Sequence, residues 1–257
     1  MTTTVLEIPS LKGKVSDEEW AVRVNLAAAY RLVSRYGWED LVFTHISARV
    51  PGTADHFLIN PYGLRFDEVT ASNLVKVDSS GETIGQHGYN ANKAGFIIHS
   101  AVHMARDDAA CVFHTHTLAG MAVSAQEEGL LPVHMYSHNF YGRLSYHDFE
   151  GPSMRLEERE RLVRSLGSQS ALILRNHGLL TLGRTIPEAF VLHWRLNRAC
   201  EVQLAAQGAK LRIPPREVCE QSLQMGDEFL TDAAPMGELE FRALTRVVDA
   251  KDASYKN

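Results

Sequence analysis

Three histidines at the ends of two apolar segments are the residues of this chain best suited to chemistry. His114 and His116 close the segment 109–116, and His177 follows the segment 171–174. Both segments are short and apolar, which is typical of buried strands. Since residues two apart on a strand share a face, the first two imidazoles should project side by side. Three convergent imidazoles can bind a divalent metal and leave coordination positions open for a substrate, as in catalytic zinc sites.

The composition narrows the class of protein in which such a site would lie. The chain has 257 residues, 45% of them hydrophobic, and a net charge of −5. No basic surface for nucleic acid is indicated. The first ten residues show no secretory signal, and no apolar segment approaches the roughly 20 residues that span a bilayer. Three cysteines that lie far apart argue against a disulfide framework. We therefore expect a cytoplasmic protein that binds neither nucleic acid nor membranes.

Periodicity predicts the elements that would hold the histidines in place. A helix is expected from a capping box formed by Ser16 and Glu19 to a stop at Gly37. Short strands are expected at 41–50, 56–60 and 74–78, and helices at 93–106, 155–166 and 185–207. His99 and His103 share one face of the helix at 93–106, where a buried structural role is favoured.

Strands that alternate with helices predict an α/β protein built as a three-layer α/β/α sandwich. We expect an extended N-terminal arm at 1–15 and a main domain at 16–210. A C-terminal extension at 211–257, with two weaker helical segments, should pack on the same domain. No repeat or low-complexity linker interrupts this order.

Four motifs occur in order along the main domain. They are Gly-x7-His-Ile-Ser-x-Arg at 37–49, Ile-Asn-Pro-x-Gly at 59–63, a helix-to-strand unit ending in His-Thr-His at 98–116, and Asn-His-Gly-Leu at 176–179. In combination they resemble the class II aldolase/adducin family over residues 18–210. The resemblance implies an α/β/α sandwich around a mixed, largely antiparallel sheet, and a homotetramer with active sites at the subunit interfaces.

The resemblance also implies a metal centre. The best-known enzymes of the family are sugar-phosphate aldolases that use zinc or a similar ion, and their metal ligands correspond to His114, His116 and His177. One divalent metal per subunit is therefore expected. Zinc is the first candidate, and manganese, cobalt and Fe(II) are the alternatives.

The chain departs from the aldolases at the residues that handle the proton and the phosphate. Their proton-transferring glutamate corresponds to Gly95, and glycine cannot transfer a proton. Their two phosphate-binding serines correspond to Lys93 and Ala94, and the Gly-Asn of their phosphate loop is Thr44-His45. A phosphate dianion needs several donors in place of water. These substitutions argue against a sugar-phosphate substrate.

The remaining polar groups suit a smaller acid. His45 and Arg49 could hold a carboxylate, and the resemblance places Asn60 and Gly63 with them among the substrate-binding residues. Decarboxylation of a β-keto acid needs no base, because loss of carbon dioxide itself leaves an enolate that a metal can stabilise. We therefore predict a metal-dependent carbon–carbon lyase, of aldolase or decarboxylase type, for a small non-phosphorylated keto or hydroxy acid.

A proton carrier is expected in the segment 136–147. The aldolases use a tyrosine four residues after a proline, which acts in the neighbouring subunit, and Pro132 and Tyr136 repeat that spacing. His138 and Tyr141 are the further catalytic candidates.

Two other functions stay open. One is a non-haem Fe(II) oxygenase, because three histidines with open positions also suit iron. The other is a non-enzymatic assembly domain such as that of adducin.

Overall fold

The computed structural model describes residues 8–85, 88–151, 157–231 and 235–257. Within these residues the chain forms one seven-stranded sheet. Its strands are β1 (His45–Arg49), β2 (Phe57–Ile59), β3 (Val75–Val77), β4 (Cys111–Thr115), β5 (Ser145–His147), β6 (Ala171–Leu174) and β7 (Gly178–Gly183). The spatial order is β3-β2-β1-β4-β7-β6-β5. Neighbours are antiparallel except β5 and β6, so the predicted α/β fold with a mixed, largely antiparallel sheet is confirmed.

Helices cover both faces of this sheet. Those in the described residues are α1 (Asp17–Tyr36), α2 (Lys93–Ala105), α3 (Leu118–Ser124), α4 (Met135–His138), α5 (Glu158–Leu166), α6 (Ile186–Ala205), α7 (Arg216–Thr231) and α8 (Glu238–Lys251). α1, α6 and α8 share one hydrophobic core with Cys111 and Phe113 of β4. α2 and α5 share another core with Val112, on the opposite face. Two cores on either side of one sheet make the three-layer sandwich.

The alternation along β4 decides where the predicted ligands point. Because successive side chains change face, His114 lies on the same side as Val112, which is the α2 side. His45 is its partner across the β1–β4 ladder. β4 also pairs with β7, so the end of β4 adjoins the turn between β6 and β7. The sheet therefore brings residues 114–116 close to His177.

The strand predicted at 41–50 was wrong in its first half. Leu41 and Thr44 have φ angles of 53° and 65°, and β1 begins only at His45. Left-handed backbone is costly for residues other than glycine and cannot continue a strand. Asp40 and Phe43 instead form an isolated bridge. The result is a tight loop immediately before β1.

The capping box predicted at the first helix forms only in part. Ser16 accepts the N–H of Glu19 at 3.1 Å, as expected. The carboxylate of Glu19 pairs instead with Arg23 and Lys76, because the buried guanidinium of Arg23 needs a counter-charge. The helix predicted at 155–166 is described from Glu158 onward, and its predicted start lies outside the described residues.

The C-terminal segment adds two helices, as expected after residue 208. These are α7 and α8. Phe241 and Val248 of α8, with Tyr255 beyond it, join the core that α1 and α6 form. The described helices include none that is both long enough and apolar enough to cross a bilayer.

Candidate metal centre

The three predicted ligands lie together at one end of the sheet. His114 is on β4, His116 follows that strand, and His177 lies in the turn between β6 and β7. One ligand atom from each ring lies within 4.8 Å of the other two. The ring centroids are 4.8 to 4.9 Å apart. The spacing in the sequence predicted this juxtaposition, and the structure adds its detailed geometry.

Hydrogen bonds fix which nitrogen of two rings faces the centre. His114 donates from Nδ1 to the carbonyl oxygen of Leu179 at 2.9 Å, and His116 donates from Nδ1 to the carboxylate of Asp40 at 2.9 Å. In a neutral ring the other nitrogen, Nε2, then carries a lone pair. The two Nε2 atoms lie 3.0 Å apart. Two lone pairs at this distance repel, and either a proton on one Nε2 or a cation between the two atoms removes the repulsion. The donor set therefore fits a divalent metal.

Burial favours the neutral form of His114 and His177. His114 is 2% exposed, and burial, followed by the nearby rings of His177 and His116, lowers its pKa well below the usual value. Burial, and after it His116, lowers the pKa of His177 to about 4. Since an imidazole binds metal only when it is deprotonated, neither ring has to lose a proton at neutral pH.

The Asn-His-Gly motif shapes the turn that carries His177. Asn176 adopts left-handed backbone with φ 55°, which asparagine tolerates better than most residues. The N–H of His177 donates to Oγ of Ser124 at 3.2 Å. A Cβ on Gly178 would lie 2.5 Å from the carbonyl oxygen of Thr115. The glycine therefore lets the turn approach the end of β4, which places His177 beside the other two rings.

His45 fills the space beside Gly95, the position that was predicted to correspond to the aldolase glutamate. A Cβ on Gly95 would lie 2.6 Å from Cε1 and 2.8 Å from Nδ1 of the His45 ring. Atoms in a packed interior do not approach so closely, so the ring and a side chain at position 95 exclude each other. His45 is 5% exposed, and burial lowers its pKa to about 3. The ring is a neutral group beside His114, with centroids 5.5 Å apart.

The other predicted substrate-binding residues have no described contact with the three histidines. Arg49 is at the far end of β1, about 13 Å along the strand from His45, and its guanidinium donates to two backbone carbonyls. Asn60 is buried, with Oδ1 accepting from a tyrosine hydroxyl at 2.9 Å. Gly63 lies in an open turn with φ 93°. Of these four residues, the structure places His45 alone in contact with the described histidine centre.

The predicted proton carriers lie elsewhere on the same chain. Tyr136 is on α4, where its ring packs edge-on against Trp194 at 5.4 Å, and the two rings line a cavity of about 350 Å³. His138 is buried, with Nε2 3.3 Å from a carbonyl oxygen. Tyr141 follows α4 and is partly buried. The described contacts of the histidine centre include none of these residues. The family resemblance implies that they would act in the site of a neighbouring subunit.

Asp40 is the residue of the centre that the sequence analysis missed. Its carboxylate orients His116, which is 76 residues away in the chain. No spacing rule links the two positions, because the contact depends on the left-handed loop before β1. A carboxylate of this kind, which accepts from the far nitrogen of a metal-binding histidine, raises the basicity of the ligand and fixes its orientation.

Known proteins resemble this chain along most of its length. Residues 24–204 match the model of the class II aldolase and adducin N-terminal domain. A Pseudomonas aeruginosa protein named "Putative aldolase class 2 protein" is 48% identical over 258 residues, which cover 99% of each chain. Alpha-adducin of Rattus norvegicus is 40% identical over 245 residues, which cover 90% of this chain and 33% of adducin.

A solved structure shows the same architecture. The L-fuculose 1-phosphate aldolase from Glaciozyma antarctica PI12 superposes with a TM-score of 0.82 and 28% identity, over 99% of this chain and 98% of that one. The family model matches residues 24–204, well over half of the present chain, and the Pseudomonas aeruginosa protein is 48% identical along 99% of each chain. The chain therefore belongs to the class II aldolase and adducin N-terminal domain family.

Proposed function

We propose that this protein is a divalent-metal-dependent carbon–carbon lyase, of aldolase or decarboxylase type, for a small non-phosphorylated keto or hydroxy acid. The observation that supports it most is the convergence of Nε2 of His114 and His116, with His177 beside them. A domain used only for assembly has no need to orient two such lone pairs with a backbone carbonyl and Asp40. Class II aldolases are generally dependent on divalent metals.

His114, His116 and His177 would hold the ion, and zinc is the first candidate because three imidazole nitrogens with open positions are typical of its catalytic sites. Manganese, cobalt and Fe(II) are the alternatives. When bound, the ion would supply positive charge that stabilises the negative charge developing on the substrate. Asp40 would keep His116 oriented, and His45 would line the substrate side of His114.

The charge around the centre supports a substrate without phosphate. The described contacts of the three ligand histidines include no lysine or arginine. Arg49, the cation expected from the sequence, donates to backbone carbonyls instead. A phosphate dianion needs several donors or cations, whereas one carboxylate and one carbonyl or hydroxyl can be satisfied by the ion and a few polar groups.

We also propose a homotetramer in which Tyr136 serves the site of a neighbouring subunit. Members of this family are typically oligomeric. The rim of the histidine centre carries exposed apolar side chains, with Leu118 80% exposed and Leu41 73% exposed. Exposed apolar side chains close together commonly mark an interface. A partner on this rim would exclude water from the centre, and it could carry Tyr136 or Tyr141 to it.

The similarity to alpha-adducin favours one alternative, a non-enzymatic assembly domain. The match covers 90% of this chain at 40% identity. Metal content separates the two functions, because an assembly domain needs no ion at the three histidines. Protein purified without added metal should contain about one divalent ion per subunit under the lyase proposal. Protein that neither contains nor takes up metal would favour assembly.

The substrate class is tested by a panel of phosphorylated and unphosphorylated acids and sugars with zinc, manganese, cobalt or Fe(II). We expect turnover of an unphosphorylated keto or hydroxy acid and none of fuculose 1-phosphate. Turnover of a sugar phosphate alone would overturn the substrate proposal. Turnover that requires both iron and oxygen would identify an oxygenase.

A further inference from the structure

The ring of His177 is held differently from the rings of the other two predicted ligands. His114 and His116 each donate a ring N–H to an oxygen atom, at 2.9 Å in both cases. The backbone N–H of His177 is fixed by Oγ of Ser124 at 3.2 Å, but its ring has no hydrogen-bond partner among the described residues. The torsion angles of this side chain therefore depend on what packs against it.

Phe149 packs against the ring of His177. The two ring centroids lie 6.2 Å apart and the ring planes meet at 75°, which is an edge-to-face pair. The other described ring contacts of His177 are with His114 and His116. Phe149 is 52% exposed and belongs to none of the described hydrophobic cores. The Phe149 ring therefore packs on a predicted metal ligand and not in the interior of the protein.

The backbone on both sides of Phe149 is anchored to α5. β5 ends at His147, which contacts a serine hydroxyl of α5 at 3.0 Å. Glu150 accepts from the guanidinium of Arg161, also on α5, at 2.7 Å. Because β5 runs parallel to β6, both strands end on the same side of the sheet. Phe149 therefore has a defined position beside the turn that carries His177.

We infer that Phe149 is a positioning residue that orients His177 for metal binding. Its ring restricts the imidazole to the orientation in which that ring lies beside His114 and His116. The inference rests on the proposed function, because it concerns the same metal centre. A phenyl ring offers no lone pair, so Phe149 acts through His177 and is not itself a ligand. Two ligands of the centre are thus oriented by hydrogen bonds and the third by an aromatic contact.

A cobalt(II) titration of metal-free protein tests this role without a substrate. Phe149→Ala and Phe149→Leu remove the aromatic ring, and each should weaken cobalt binding roughly two- to tenfold, the range expected for one aromatic pair. Phe149→Tyr keeps the ring and should bind cobalt as the wild type does. Because the ring lies outside the described cores, the metal-free variants should unfold at the same urea concentration as the wild type.

A His177→Asp background separates positioning from a general effect on the fold. Two histidines and a carboxylate also bind divalent metals, but aspartate presents no ring to Phe149. In this background Phe149→Ala should leave the cobalt affinity unchanged. Leu239→Ala is the matched control in the wild-type background, because Leu239 is 58% exposed and lies on α8, across the sheet from His114. It should bind cobalt as the wild type does.

Two results would overturn the inference while leaving the proposed function in place. One is equal cobalt affinity in the wild type, Phe149→Ala and Phe149→Leu. The other is a loss in the His177→Asp background as large as that in the wild-type background, because Phe149 would then act on the centre by another route. Wild-type protein that binds no cobalt overturns the proposed function as well.

Discussion

The ring of His45 fills the space that a side chain at position 95 would need, with Cε1 2.6 Å from the place of its Cβ. Gly95→Ala should therefore destabilise the protein by about 1–3 kcal/mol, the usual effect of overpacking, although alanine favours a helix. In a His45→Ala background the same substitution should be neutral or stabilising, because the clash is gone. Urea unfolding of the four proteins measures this coupling.

Gly226→Ala is the matched control for this cycle. Gly226 is also within a helix, α7, and a Cβ there would meet only the flexible amide end of Asn139 at 3.3 Å. Its effect should be the same with and without His45. If the effects of Gly95→Ala and His45→Ala are additive, the proposed exclusion between the two positions is wrong.

The carboxylate of Asp40 should contribute to metal affinity through His116. Removing a carboxylate that orients a ligand histidine typically weakens metal binding 10- to 100-fold. Asp40→Ala should show a loss on this scale in a cobalt titration, and Asp40→Asn, which keeps an acceptor, should lose less. Asp107→Ala, at an exposed position after α2, should bind as the wild type does. Unchanged affinity in Asp40→Ala would show that the 2.9 Å contact has no part in metal binding.

Stability should fall as the pH is lowered below about 6.5, the usual pKa of histidine. Burial lowers the pKa of His45, His103 and His193 to about 3 in the folded protein. Between these values the unfolded chain binds protons that the folded chain does not. The free energy of unfolding therefore decreases toward acid, by up to about 1.4 kcal/mol per pH unit for each histidine. Above pH 7 this contribution should be constant.

His193 provides the test of that slope, because it lies with Phe113 on the α6 side of the sheet, opposite to the face on which His114 lies. Its nitrogens contact the hydroxyls of Thr115 and Thr181, and its ring lies near Trp38 and Phe113. Urea unfolding of metal-free protein between pH 7.5 and pH 5 should give a shallower slope for His193→Gln than for the wild type. Equal slopes would contradict a neutral His193 in the folded state.

Most elements of this fold could be predicted from the sequence because their apolar periodicity is strong. α1 and α6 run for 20 residues each, and their N-caps, Ser16 and Thr185, are the residues at which the two helices were predicted to begin. β5 and α4 were missed, since three or four residues are too few to show a period. The longer α3 and β7 were not predicted either. The strand that was predicted to begin at Leu41 begins at His45. The left-handed backbone of Leu41 and Thr44 has no signal in residue type.

The residues of the candidate site also differ in whether the sequence could predict them. His114, His116 and His177 could be found because strand spacing and a tight turn predict where their side chains project. The role of Asp40 depends on a contact across 76 residues, and the exclusion between His45 and Gly95 depends on interatomic distances. Neither follows from a motif. Metal binding by the three histidines stays a prediction, for which the oriented Nε2 atoms give physical support.

The proposed place of Tyr136 in a neighbouring site can be tested by mixing two inactive proteins. Tyr136→Phe should keep the metal but lose about 100- to 10,000-fold in rate on a substrate found by the panel, and His116→Ala should lose the metal. If each site takes its metal from one subunit and Tyr136 from the next, about a quarter of the sites in randomly mixed tetramers combine two intact halves. Co-expressed, differently tagged subunits should therefore regain about a quarter of the wild-type activity.

A mixture of His114→Ala and His116→Ala is the control, because both substitutions damage the same half of the site, and it should stay inactive. No recovery in the first mixture would place Tyr136 outside the neighbouring site.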